Sequence, residues 1–426
     1  MRLSLLLLLF LCFIICNAQP VTSYRMPAEW EKQEAVILTY SGDPDDPVTT
    51  EKVHRSTRSF IRAVSPHLKI YLLISVSHNK DSLLQLFRNE QSNLSNLELV
   101  AVPYLFSMGV ARDYGPMITR DANGVRKLLQ FEWDYVGADF IHPDTAWTRR
   151  KNLRRDRYFN QMSQLLGIEV VKSPLAIEGG EIELNGKGVA LIVDSFTRRR
   201  NPFMSDKGFE SLLHASLGVT KLIRLREGIA EDPAPGQSRL YGNLYGSGVG
   251  GHVDEFARFV NPTTIFLAMP DSAEAANDPV KKLSYERMKV NEQLLIAARD
   301  QEGKPFNIVH IPVPDVVPDE FVMDTSSFMH PVASLHREYP ELKNGDRIRF
   351  LPAVSYLNYV VLNDLVIIPA YWRPGFPDIC KQEDEQVRAL YVRYFPGKKI
   401  IQLDPWGMNY GGGGFHCWTQ QVPEGF

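Results

Sequence analysis

The chain has 426 residues, 44% hydrophobic and 23% charged, with a net charge of −3, values of an ordinary folded protein long enough to bury a sizeable core. So small a net charge gives no reason to expect nucleic acid or an anionic membrane surface as the main partner. Past the N-terminus, no stretch approaches the ~20 apolar residues that cross a bilayer.

The N-terminus departs from this composition. Arg2 precedes an apolar run over residues 5–15, followed by Cys16-Asn17-Ala18, the order of a secretory signal peptide. Residues 1–18 are therefore expected to be removed after Ala18, leaving a secreted or periplasmic protein with no membrane attachment. Cys12 and Cys16 would leave with that segment, so that Cys380 and Cys417 remain. They form a disulfide, which an oxidising location permits, or stay free with Cys417 as a reactive thiol.

In chain order, apolar patterning predicts a strand over 35–40, a helix over 51–64, a strand over 69–76, a helix over 80–89 and a strand over 97–102. Further strands fit 117–120, 127–132, 168–172, 190–194, 222–225, 264–269, 307–311, 354–361, 365–369 and 400–403. Helices fit 153–165, 206–217, 280–299 and 383–394. Such alternation argues for an α/β architecture. No Ser-, Gly- or Pro-rich linker divides the chain, and no exact sequence repeat occurs. Two stretches rich in Pro, Gly, Asp and Ser, 227–251 and 313–346, read as long loops of the kind that carry function.

Polar residues cluster beside glycine at four places. In Ala111-Arg112-Asp113-Tyr114-Gly115-Pro116 the plain reading of Asp113 is a turn residue. In Ile177-Glu178-Gly179-Gly180-Glu181-Ile182, glycine within strand-like surroundings suggests a bulge or a close backbone approach. In Gly250-Gly251-His252-Val253-Asp254-Glu255, an extended strand would send His252 and Asp254 to the same face. Near the C-terminus, Gly411-Gly412-Gly413-Gly414 runs through Phe415-His416 into Cys417, and four glycines imply either a backbone conformation closed to other residues or a close approach. No Cys/His spacing suits zinc. Gly246-Ser247-Gly248-Val249-Gly250-Gly251 matches a dinucleotide fingerprint by pattern, but a strand-like segment rather than a helix follows it. The basic clusters at Arg149-Arg150-Lys151, Arg154-Arg155 and Arg198-Arg199-Arg200 read as solvated helix faces.

Together these stretches supply a thiol, an imidazole and three carboxylates. That set suits attack on a guanidinium, which stays charged and demands negative partners. Asp113 and Asp254 could each accept a pair of N–H donors, while a cysteine adds to the central carbon and a histidine handles the protons.

The ordered set of Pro27-Ala28-Glu29-Trp30, Ala111-Arg112-Asp113-Tyr114-Gly115-Pro116, Glu178-Gly179-Gly180, Arg200-Asn201-Pro202, Gly251-His252-Val253-Asp254, Ser355-Tyr356-Leu357-Asn358 and Gly412-Gly413-Gly414-Phe415-His416-Cys417-Trp418-Thr419-Gln420-Gln421 resembles the agmatine deiminase and Porphyromonas-type peptidylarginine deiminase family. The resemblance runs over residues 24–423, taken as one catalytic domain. It implies the pentein fold, a five-bladed α/β propeller with pseudo-fivefold symmetry. It places the nucleophile on Cys417, the acid/base on His252, the guanidinium-binding carboxylates on Asp113 and Asp254, a histidine-orienting carboxylate on Glu178 and a substrate-side asparagine on Asn358. No metal or organic cofactor is implied.

Two departures bear on substrate. Agmatine-type members resemble Asp-x-Trp-x-Arg-Asp at the first motif, and Val110 stands here where the aromatic would be. The Arg-Pro-Arg segment of the bacterial peptidylarginine enzyme has no counterpart in Tyr135-Val136-Gly137-Ala138-Asp139-Phe140-Ile141-His142. Val110 weakens simple agmatine recognition, the missing Arg-Pro-Arg segment removes a known hold on a peptide's terminal carboxylate, and the expected export favours arginine in peptides or proteins as substrate. Agmatine, amidino transfer to an amine, and non-catalytic guanidinium binding are the alternatives.

Overall fold

The computed structural model describes residues 24–43, 45–102, 110–132, 145–233, 236–327 and 331–425. The expected signal segment and the 135–142 stretch lie outside these residues, as do the side chains of Arg149, Arg150 and Lys151.

Five small sheets repeat one pattern: an antiparallel pair, then a strand added in parallel to the second. In chain order the second sheet is Met117–Arg120, Arg126–Glu132 and Glu169–Ala176. The third is Ile182–Leu184, Val189–Val193 and Lys221–Leu225. The fourth is Ala257–Asn261, Thr264–Ala268 and Asn307–Ile311, and the fifth is Val360–Val361, Leu365–Pro369 and Lys399–Leu403. The first sheet takes its opening strand from the far end of the chain, because Thr419–Pro423 pairs antiparallel with Gln33–Tyr40. Lys69–Ser75 and Leu97–Val102 then follow in parallel.

A parallel neighbour requires a crossover, and a helix supplies it in every unit. Pro47–Val64, Thr145–Leu166, Asp206–Leu217, Pro279–Ala297 and Asp378–Tyr394 each link a second strand to a third. Their starts are written locally. Asp46 before Pro47 accepts the Thr49 amide, and Asp278 before Pro279 accepts those of Val280 and Lys281. An aspartate cap followed by a proline, which has no amide hydrogen to lose, favours helix initiation. Ser205 caps Asp206–Leu217, and Gly218 ends it at φ +74°.

The middle strands Val189–Val193, Thr264–Ala268 and Leu365–Pro369 are buried at every position. Covered on both faces, they read as continuous apolar runs and contribute about 1.5–3 kcal/mol for each large side chain removed from water.

The two predicted long loops are not irregular throughout. Gly236–Tyr241 and Leu244–Gly248 from the first join Asp319–Val322 from the second, together with Arg347–Pro352, in a sixth sheet. The strand predicted over 354–361 is confined to Val360–Val361, because residues 353–359 turn. The basic clusters also differ from expectation. Arg198 is exposed and pairs with Asp194, but Arg155 is buried against the carbonyls of Tyr114 and Phe131, and Arg200 is buried between two glutamates.

Candidate active site

Each of the five units is entered through a turn, and the singled-out residues stand on those turns. Asp113 lies on Ala111–Tyr114, one helical turn ahead of Met117–Arg120. Glu178 caps the 3₁₀ turn Gly179–Glu181 before Ile182–Leu184. His252 precedes the 3₁₀ turn Val253–Glu255, and Asn358 and Cys417 each come two residues before the opening strand of their unit. The expected extended strand through His252 and Asp254 is therefore corrected to a turn, with the strand beginning at Ala257. Gly250 at φ +58° breaks the extended chain just before it.

These residues converge in a wholly buried cluster. The Cys417 sulfur accepts from Asn358 Nδ2 at 3.1 Å, and its thiol faces Asp254 Oδ2 at 3.5 Å and Glu255 Oε1 at 3.6 Å. Asn358 also accepts the Cys417 amide at 3.1 Å, which fixes the thiol from two sides. His252 meets Glu178 Oε2 through Nε2 at 2.9 Å, while its Nδ1 lies 3.7 Å from Asp113 Oδ1 and has no hydrogen-bond partner among the described residues. Asp113 itself accepts the Gly180 amide at 3.2 Å.

Glycine is needed wherever backbone crosses this cluster. A Cβ at Gly180 would lie 2.5 Å from His252 Nδ1 and 3.0 Å from Asp254 Oδ1. In the four-glycine run, Gly412 has φ +96°, and a Cβ at Gly413 would lie 2.3 Å from the Cys417 sulfur. Both readings of that run, special conformation and close approach, hold at different positions.

Charge sets the protonation states. Burial opposes ionisation of His252, but Asp113, Glu178 and Asp254 outweigh it and raise its pKa to about 10. Burial raises Asp113 to about 7, with Glu178 and Asp254 adding to the effect and His252 opposing it. Burial, Asp254, Glu255 and Asp113 all push the Cys417 thiol well above its usual range. The site thus holds a neutral thiol beside an imidazolium. Cys380 is also a free thiol, so the two cysteines are not bridged.

Around this cluster lie residues to which sequence reasoning gave no part. His416 places Nδ1 at 2.6 Å from Asp254 Oδ2 and Nε2 at 2.6 Å from Glu29 Oε1. Burial opposes ionisation of Glu29, but the His416, Arg258 and Arg112 charges outweigh it, and its pKa falls below the usual carboxylate range. At His416, burial with the Arg112 and Arg258 charges lowers the pKa, against the opposing pull of Glu29 and Asp254 at its two ring nitrogens. Arg258 ties Glu29 to Glu183, at 2.7 and 2.8 Å, and Arg200 ties Glu178 to Glu181, at 3.0 and 2.8 Å. The available signal was charge inside otherwise apolar strand or turn segments, as at Arg258 and Glu183.

The Porphyromonas-type peptidyl-arginine deiminase family matches residues 25–423. The chain belongs to this family of guanidine-group deiminases. Within it, a Selenomonas ruminantium protein named "Putative agmatine deiminase" is 27% identical over 414 residues, covering 94% of this chain and 96% of its own. Among solved structures, the agmatine deiminase of Enterococcus faecalis superposes with a TM-score of 0.70 at 21% identity, covering 94% of this chain and 96% of that one. The C. jejuni agmatine deiminase gives 0.65 at 20% identity, covering 95% and 97%. At such identities the deiminase structures establish a shared mixed α/β fold.

Proposed function

We propose that this deiminase hydrolyses the guanidinium of arginine in peptides or proteins, giving citrulline and ammonia, with residues 24–423 as the catalytic unit. The observation that carries the deimination chemistry is the buried Cys417 thiol, set 3.5 Å from Asp254, with Asn358 donating to its sulfur and the Glu178-bound His252 on the same cluster. The five turn-entered units support a five-bladed propeller with these turns at its centre.

In this reading the substrate's guanidinium lies between Asp113 and Asp254, each accepting from its N–H groups. Its positive charge offsets the carboxylates that hold the Cys417 thiol neutral, so the thiol releases its proton to solvent as substrate arrives. The thiolate forms a bond to the central carbon. His252 donates from Nδ1, the nitrogen not engaged with Glu178, and ammonia departs as the C–N bond breaks. Neutral His252 then takes a proton from water, whose oxygen adds to the same carbon. Cleavage of the S–C bond releases the ureido product and restores Cys417.

Val110, standing where agmatine-type members carry an aromatic ring, supports a peptide substrate, as does the signal-like segment over residues 1–18 with the secreted or periplasmic location it implies. Agmatine is the second reading, favoured by the names of the relatives above. The test is ureido formation by the purified chain on agmatine, free arginine, and peptides with internal or C-terminal arginine. Turnover on peptides at a kcat/KM well above that on agmatine is the expected result; the reverse order refutes the peptide assignment.

The pH profile follows from the same groups. Asp113 must be ionised to accept from the guanidinium, and its raised pKa of about 7 makes kcat/KM fall as pH drops through that value. His252 must be protonated to donate, so kcat/KM falls again as pH rises through about 10. A bell with these two limbs is expected for an always-charged guanidine. Asp113→Asn should lose the acid limb and roughly 100-fold in kcat/KM, the order expected when a charge-assisted bond is removed. An unchanged acid limb in that variant would assign the limb elsewhere.

A further inference from the structure

Three buried polar atoms near Cys417 have no hydrogen-bond partner among the described residues: Nδ1 of His252, Oδ1 of Asp254 and Oε2 of Glu255. The first two belong to residues already given a part in the reaction. Glu255 has none, yet it is fully buried and reaches the nucleophile. Its Oε1 accepts from Asn358 Nδ2 at 2.7 Å and lies 3.6 Å from the Cys417 sulfur. Glu178 is paired with Arg200 and Asp254 with His416. No ion pair among the described residues includes Glu255, so a buried carboxyl stands beside the reactive thiol without its own cation. Such a group is costly to keep unless something else supplies the charge.

We propose that Glu255 is a third carboxylate of the guanidinium clamp and selects guanidines whose terminal nitrogens carry no substituent, an inference that rests on the guanidine-hydrolase reading above. Attack on a planar guanidinium comes from above the plane, so its carbon must sit over the Cys417 sulfur. Asp254 Oδ2 and Glu255 Oε1 lie 3.5 and 3.6 Å from that sulfur, which brings one terminal nitrogen between them. An unsubstituted terminal nitrogen has two hydrogens, one for each carboxylate. An alkyl group on it would remove one of those bonds. It would also enter space bounded by Gly413, where a Cβ would already lie 2.9 Å from Glu255 Oε1. Burial, with Asp254 and Asp232 nearby, pushes the Glu255 pKa far up, which favours the neutral carboxyl, and an incoming cation favours its ionised form.

The test measures binding in a Cys417→Ala background, so that nothing turns over, with guanidinium ion and neutral urea as probes. Glu255→Gln keeps the side chain's volume and a carbonyl for Asn358 but cannot become negative. It is expected to weaken guanidinium about tenfold and to leave urea within about twofold. Glu255→Ala is expected to narrow the preference for methylguanidinium over N,N′-dimethylguanidinium by about tenfold. Unchanged guanidinium affinity in Glu255→Gln, or equal weakening of both probes, overturns the proposal, and should Glu255→Ala fail to fold, the Glu255→Gln comparison decides alone. Failure of the hydrolase reading is separately visible, since the parent chain would then form no ureido product from any guanidine.

Discussion

Cys417→Ala is expected to lower turnover by on the order of 10⁵-fold or more, to background, because no other group in the cluster can form the bond to carbon. Affinity for a guanidine should survive. Asn358 Nδ2 loses the sulfur but keeps Glu255 Oε1 at 2.7 Å, and Asp254 stays fixed by His416 at 2.6 Å, so the carboxylates that meet the cation remain in place. Rapid-quench assay of ureido product together with calorimetric titration of a guanidine separates the two effects. Substantial residual turnover would remove Cys417 from the chemistry. Loss of binding and turnover together, with a lowered melting temperature, would make it a structural residue.

His252→Gln is expected to cost roughly 10³- to 10⁴-fold in kcat, the range for loss of a positioned proton donor and acceptor. The replacement leaves Glu178 paired with Arg200 at 3.0 Å, so the buried carboxylate is not orphaned and the fold should persist. Binding should move the other way. His252 is a cation, and deleting that charge relieves repulsion toward an incoming guanidinium, so the dissociation constant should fall or stay level. A drop in kcat with unimpaired binding is the signature of a proton-transfer residue. Weaker binding with near-parent kcat would make His252 a substrate contact only.

The parts of the fold legible in sequence were those whose patterning and ends are local. The helices Lys80–Asn89 and Asp206–Leu217 have cap residues, Asn79 and Ser205, directly before them. The strand Leu365–Pro369 is a short apolar run that follows the polar pair Asn363-Asp364. The fivefold recurrence was not legible, because what recurs is the position of a turn before an antiparallel pair. Crossover helices from Asp206–Leu217 to Thr145–Leu166 in length leave no constant sequence spacing.

At the site, the motif residues could be named from their resemblance to a known family, but their supports could not. Glu29 and His416 are 387 positions apart, and Glu255 and Asn358 are 103 apart. Closure of the first sheet by Thr419–Pro423 brings Gln33–Tyr40 against the C-terminal strand. The strand reading of His252 and Asp254 failed for a related reason. Alternation of side chains cannot register that Gly250 turns the backbone, or that a 3₁₀ turn brings both Asp254 and Glu255 to one thiol.

The central claim is hydrolytic removal of ammonia from a guanidine by Cys417. It is tested most directly by following ammonia and ureido product together with the purified parent chain in the absence of any added amine. One ammonia for each ureido group, lost in Cys417→Ala, is the predicted result. Consumption of the guanidine only when an amine acceptor is supplied, with no ammonia released, would contradict hydrolysis and establish amidino transfer in its place.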